Sequence, residues 1–340
     1  MAQYFLYPLL LIVSLAVILF ACELFTNGVE WAGKKMDLSR GATGSVLAAV
    51  GTALPETSIP ILALIAGSRE GLDVAVGAIA GAPFMLATLA MCVTGAAVFY
   101  YHKKGRREKT LNLDVAVKER DLAFFIGVYS VAVMATFVPH GSIRYFIAAC
   151  LMLSYGVYLY VSLRHKGEGH GELDILYLSK LFNSKRAKRR FIALQIIVAL
   201  GLIAAGAHYF VVAVQEVARM FSVPTLILSL LVTPIATELP EKMNSVLWIR
   251  ERKDTLAVGN ITGAMVFQAS FPVAIGVAFT PWDLTGPTMI SAVLALLSAA
   301  GLYLTLKIKK DLKPHVLLAC GFLYAAFIVY LIFSGTSPTG

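Results

Sequence analysis

At 340 residues, with 58% hydrophobic side chains, the chain is long enough for several membrane spans. Its 14% charged residues fall well below the roughly 25% of soluble domains, so it reads as an all-α polytopic membrane protein and not a soluble one. The net charge of +9 raises nucleic acid as a partner, but the placement of the basic residues excludes it.

A spanning helix needs about 20 mostly apolar residues. Ten stretches qualify: 4–26, 41–66, 72–101, 121–139, 143–163, 191–218, 222–249, 255–280, 286–306 and 314–334. The first has no Lys or Arg before its apolar run, which is too long for a leader core, and reads as a span. The longest loops fall near 102–120 and 164–190, and Leu173, Leu176, Leu178, Leu181 and Phe182 in the second suggest an interfacial helix. Cys22, Cys92, Cys150 and Cys320 lie singly in apolar spans and read as small buried hydrophobes, neither disulfides nor zinc ligands.

Loops after the odd-numbered spans hold 25 of the 29 Lys and Arg residues, while the opposite side holds only Arg69, Arg144 and Arg219. Basic loops stay cytoplasmic, which predicts a multi-pass protein of the inner (plasma) membrane with both termini extracytoplasmic. The basic runs are then topology determinants and lipid contacts.

Spans two and seven share a pattern: Thr52-Ala53-Leu54-Pro55-Glu56 and Thr237-Glu238-Leu239-Pro240-Glu241. Each is followed by a small-residue element, Gly77-Ala78-Ile79-Ala80-Gly81-Ala82 and Gly259-Asn260-Ile261-Thr262-Gly263-Ala264. Copies five spans apart cross the bilayer in opposite directions. The expected architecture is therefore ten transmembrane helices in two inverted five-helix repeats, 1–163 and 191–340, joined by a basic cytoplasmic loop at 164–190.

Proline inside a helix frees the carbonyl four residues back: Gly51 for Pro55, Glu56 for Pro60, Leu230 for Pro234 and Ala236 for Pro240. Such oxygens, with the hydroxyls of Thr52 and Thr237 and the carboxylates of Glu56, Glu241 and Glu238, suit a hard cation such as Ca²⁺, which takes about 6–8 oxygens. A carboxylate at the bilayer centre costs about 2.5–3.5 kcal/mol even on the lenient scale, so three without a ligand are a heavy burden. Gln268 offers a further oxygen, while the first element has Ala78, Ala80, Pro83 and Leu86 in the corresponding places. The glycines read as helix-packing positions, and Asn260 and Thr262 as further functional candidates. Lys242 lies four residues after Glu238, the favoured ion-pair spacing. It reads either as a tethered cation inside the site or as a side chain reaching for the extracellular interface or a cavity wall. His208 is a candidate proton relay, or else a helix contact. Neither hydrolase nor Walker motifs are present, so no enzyme activity, catalytic residue or cofactor is expected, and an ion gradient supplies the energy.

Gly51 to Glu56 with Gly77 to Leu86, and Ala236 to Glu241 with Gly259-Asn260 to Gln268, resemble the two alpha repeats of the sodium/calcium exchanger family within the cation/calcium antiporters. The resemblance implies cation exchange by alternating access, with the Pro-Glu carboxylates as central ligands and spans one and six sliding against the core. Ala53 and Glu238 stand where the family has serines, and Ala82 and Ala264 replace those of the second element. The expected function is a secondary antiporter moving Ca²⁺ or another divalent cation against Na⁺ or H⁺. The metal ligands are Glu56, Glu241, Glu238, Thr52, Thr237 and Gln268, and the partners are the transported cations and the lipid bilayer, with no oligomer required. The competing reading is a non-transporting cation sensor or assembly subunit on the same scaffold.

Overall fold

The computed structural model describes residues 2–35, 54–164, 176–178 and 189–334, and these contain helices and no strand. In chain order the helices are α1 (Ala2–Lys35), α2 (Leu54–Ile65), α3 (Arg69–Met85), α4 (Met91–Lys103), α5 (Val115–Met134), α6 (Ser142–Arg164), α7 (Arg189–Met220), α8 (Thr225–Arg250), α9 (Asp254–Phe279), α10 (Gly286–Lys309) and α11 (Pro314–Phe333). A π-helical turn, Leu86–Ala90, joins α3 to α4 as one rod. The turn follows Pro83, and the carbonyl of Ala87 within it accepts a 2.6 Å hydrogen bond from the Ser298 hydroxyl of α10. That bond satisfies a backbone group which the irregular turn would otherwise leave in an apolar interior.

Among the described residues, eight helices are long and apolar enough to cross a membrane, counting the α3–α4 rod as one. Two of the ten expected spans are not among them. The first part of 41–66 lies outside the described residues, which begin there with α2. α8 has 26 residues, but Glu238, Glu241 and Lys242 interrupt its apolar run. At 1.5 Å per residue it is about 39 Å long, more than the roughly 30 Å of a bilayer's hydrocarbon core. α1 extends to Lys35, well past the predicted end near residue 26, because a helix continues beyond the apolar core while its backbone bonds hold.

The buried side chains form two clusters. The larger draws on α3 to α6 and α8 to α11, with Phe84, Phe125, Tyr129, Met265, Trp282 and Phe327 among its largest members. The smaller joins α1 and α7 to α2 and the start of α3, through Ile18, Cys22, Ile59, Val74, Phe210 and Val214. α1 packs chiefly along α7, so these two helices form a pair beside the main body. Large apolar side chains such as Phe5, Phe146, Leu153, Ile197, Phe322 and Phe333 are exposed on the outer faces. So much exposed apolar surface belongs against acyl chains and not water.

Polar contacts tie loop to loop. Arg107, after α4, is buried and forks onto Asp254 at the start of α9, 2.7 and 3.0 Å from its two oxygens. The same guanidinium donates to the carbonyls of Ile249 and Thr110. Lys310 pairs with Glu119 at 2.7 Å. Elsewhere Arg219 pairs with Glu70 at 2.5 Å, and Arg144 donates to the carbonyls of Val138 and Pro281. Arg107, Lys118 and Arg144 are buried and partnered inside the protein.

Candidate functional site

The site is built on α8. Its hydroxyl residues fall at four-residue steps, so Ser229, Thr233 and Thr237 stack on one face, all buried. The Ser229 hydroxyl donates to the Val74 carbonyl of α3 at 2.8 Å and lies 3.1 Å from the Thr233 hydroxyl. The Thr237 hydroxyl donates to the Thr233 carbonyl at 3.0 Å, which leaves its oxygen lone pairs free to face a cation. Ser245 lies two such steps further on, and Asn260 of α9 donates to its hydroxyl at 3.2 Å. Ser229, Thr233 and Ser245 escaped the sequence reading, although their regular spacing through an apolar helix marks a polar stripe.

The small-residue element of α3 sets how near that stripe lies to its neighbour. A Cβ added at Gly77 would fall 2.6 Å from the Leu226 carbonyl oxygen, and one at Gly81 would overlap the Leu230 carbonyl oxygen and lie 2.8 Å from Pro234 Cγ. Leu230 is the residue whose carbonyl Pro234 deprives of its helical partner. That oxygen lies against the Gly81 backbone, in the α3–α8 contact.

Glu238 sits on the adjoining stripe of α8 and is 1% exposed. Gln268 of α9 donates through Nε2 to its Oε1 at 2.8 Å, which turns the amide oxygen of Gln268 away from the carboxylate. Lys242 Nζ stands 3.3 Å from its Oε2, one helical turn on, with both side chains buried. Lys242 is thus buried inside the protein, beside Glu238.

Glu56 lies on α2 and is 6% exposed. α2 touches α1, α3, α7, α8 and α9, and Glu56 is within electrostatic reach of Cys22 on α1. Ile59 and Ala63, on the following turns, pack into the smaller cluster against α1 and α7. The carboxylate is thus close to the seam between the α1–α7 pair and the main body. Among the predicted ligands, Glu238 and Gln268 are brought into direct contact. Thr52 lies outside the described residues, and so does the side chain of Glu241, although its backbone is part of α8. Among the described residues no three His, Cys, Asp or Glu side chains converge as a metal site.

Other candidates separate from this site. Thr262 donates at 2.9 Å to Asp121 of α5, at the centre of a second buried polar cluster. Asp121 also accepts from Arg120 at 3.0 Å, from the Tyr158 hydroxyl of α6 at 3.1 Å and from Lys118 at 3.4 Å. Gly259 makes room for this cluster, since a Cβ there would fall 2.6 Å from Lys118 Nζ. His208 is exposed on the outer face of α7, with its ring edge-on to that of Tyr209 at 5.5 Å. Cys22 and Cys320 are buried as expected, whereas Cys150 faces outward. Asn27 and Gln195 bridge α1 and α7 at 2.9 Å and hold the backbone of Tyr177 and Leu178, a link the sequence did not reveal.

A family model described as sodium/calcium exchanger protein matches residues 6–164 and 191–335 of the chain. The inner membrane protein YrbG of Escherichia coli K12 is 24% identical over 279 residues, which are 81% of this chain and 80% of YrbG. The crystal structure of the H⁺/Ca²⁺ exchanger CAX superposes with a TM-score of 0.72 at 20% identity, covering 97% of this chain and 82% of that one. The sodium-calcium exchanger NCX_Mj superposes with a TM-score of 0.57 at 15% identity, covering 96% and 98%. At these identities the two structures share the fold.

Proposed function

Because the chain belongs to the sodium/calcium exchanger protein family, we propose that it is a secondary antiporter exchanging a divalent cation, Ca²⁺ in the first instance, for Na⁺ or H⁺ by alternating access. The observation that carries this reading is the burial of Glu56 and Glu238 on two proline-containing helices of one membrane-spanning bundle. A buried carboxylate needs a cation, a proton or donors to be tolerable in lipid. Glu56 and Glu241 act as the principal ligands, Thr52, Thr237 and the amide oxygen of Gln268 as supporting oxygens, and Glu238 as an added carboxylate beside them.

The architecture that goes with this mechanism is ten spans in two inverted repeats, 1–163 and 191–340, linked by the cytoplasmic loop 164–190. α2, together with residues before it, and α8 would supply the two spans beyond the eight long apolar helices. The loop contacts support that arrangement. Arg107 with Asp254, and Lys310 with Glu119, join loops assigned to the basic side, while Arg219 with Glu70, and Arg144 with Pro281, join loops of the other. Both termini then face outward from an inner membrane, where YrbG is named as residing. The α1–α7 pair, with its own small hydrophobic cluster, would slide against the rest and expose Glu56 to each side in turn.

Reconstitution in proteoliposomes tests the proposal, with Ca²⁺ uptake driven by an imposed Na⁺ or H⁺ gradient, each alone. Uptake should follow one gradient and fall at least about tenfold in Glu56→Gln and in Glu241→Gln. Saturable Ca²⁺ binding without gradient-driven flux would overturn transport and favour a sensor on the same scaffold.

A further inference from the structure

We propose that Lys242 is a resident cation of the site, a fixed positive charge that fixes how much transported charge the site accepts. The inference rests on the antiporter reading for what the site carries, and on geometry for what Lys242 does. Its ammonium stands 3.3 Å from Glu238 Oε2, with the two side chains 2% and 1% exposed. The other oxygen of that carboxylate is held by Gln268 Nε2 at 2.8 Å. Both oxygens of Glu238 thus face a protein donor, and the donor at Oε2 carries a full charge. A calcium ion bound there would sit about 2.3–2.6 Å from the oxygen, in the region the ammonium occupies.

The charge count follows from the residues. Glu56, Glu238 and Glu241 would bring three negative charges into one region, and Lys242 cancels one of them. The cancellation is permanent, because the ammonium is tethered four residues from Glu238 on an unbroken helix and moves with it. What remains is the charge of two carboxylates, matched by one divalent cation or by two monovalent ones. Exchange between those two loads moves no net charge across the membrane. Lys242 is thereby a specificity-determining residue. It makes Glu238 a structural counter-ion and leaves the ligand work to Glu56 and Glu241.

Two measurements on the full chain test this independently of each other. In detergent-purified protein, Ca²⁺ competes with La³⁺ for the site. Lys242→Met leaves a third carboxylate unbalanced and should raise the preference for La³⁺ over Ca²⁺ by about tenfold or more. The double variant Glu238→Gln with Lys242→Met removes both charges, serves where the single variant folds poorly, and should return the ratio to the wild-type value. In proteoliposomes with the membrane potential clamped, wild-type exchange should proceed at a rate independent of the potential, and Lys242→Met exchange should depend on it. An unchanged La³⁺/Ca²⁺ ratio in Lys242→Met, or wild-type flux that already varies with potential, overturns the proposal. Absence of gradient-driven flux in the wild type refutes the transport reading alone, since the lanthanide competition still decides the role of Lys242.

Discussion

Replacing Gly81 with alanine tests the contact on which the placement of α8 depends. The added Cβ would overlap the Leu230 carbonyl oxygen, and it would stand 2.8 Å from Pro234 Cγ and 2.9 Å from the Leu230 carbonyl carbon. Ordinary contacts of this kind need about 3.5–4.0 Å. The obstacle is backbone and a proline ring, neither of which can swing aside, so α3 and α8 must separate by roughly 1 Å. Overpacking a well-filled core costs about 1–3 kcal/mol, and the rigid wall places this case at the upper end. Alanine's better helix propensity returns about 1 kcal/mol, for a net loss of about 2 kcal/mol. Thermal unfolding in detergent, followed by loss of the monodisperse chromatographic peak, should show an apparent midpoint a few degrees lower. Gly127→Ala and Gly156→Ala are the controls, because a Cβ at either meets nothing within 4 Å among the described residues. The reasoning is refuted if Gly81→Ala melts together with these controls.

Three further outcomes follow from buried polar groups. Arg107→Ala strips the guanidinium from Asp254 and leaves that carboxylate, 3% exposed, with the Asn112 amide at 2.9 Å. Breaking a buried pair from one side costs about 3–5 kcal/mol. The apparent midpoint should fall further than for Gly81→Ala, and Arg107→Lys should recover part of the loss. Asp121→Ala removes the shared acceptor of Lys118, Arg120, Tyr158 and Thr262, and should destabilise far more than Thr262→Val, which removes a single donor at about 1–3 kcal/mol. The Tyr129 hydroxyl is fully buried and finds no hydrogen-bond partner among the described residues. Tyr129→Phe should therefore leave the melting midpoint unchanged or raise it, and a clear drop would reveal a bound partner.

The sequence exposed what lipid makes expensive. Glutamates beside prolines in apolar runs have few tolerable explanations in a bilayer, so Glu56, Glu238 and Glu241 stand out one by one. Gly77 and Gly81 were legible as packing positions for a similar reason, since a small face on a spanning helix invites close approach. What stayed hidden depends on partners far apart in the chain. Asp121 finds Thr262, and Asn27 finds Gln195, across well over 100 residues, and nothing local to either residue announces the match. Lys118 and Arg107 read only as members of a basic loop, because nothing local to either residue announces that the carboxylate it meets is buried.

The proline logic was half legible, and the other half is instructive. Pro234 does free the Leu230 carbonyl, but that oxygen meets Gly81 and serves the seam between α3 and α8. Proline and glycine are complementary there. The proline removes a donor and leaves the carbonyl free to face outward, and the glycine supplies a surface without a Cβ for that carbonyl to approach. Further along the same helix, Glu238 finds Lys242 and Gln268, and Thr237 closes back on Thr233. α8 thus fixes its position with its first turns and presents its charges with its later ones. A change in the α3 seam should therefore move the charged turns as a unit and leave the Glu238–Lys242 pair intact.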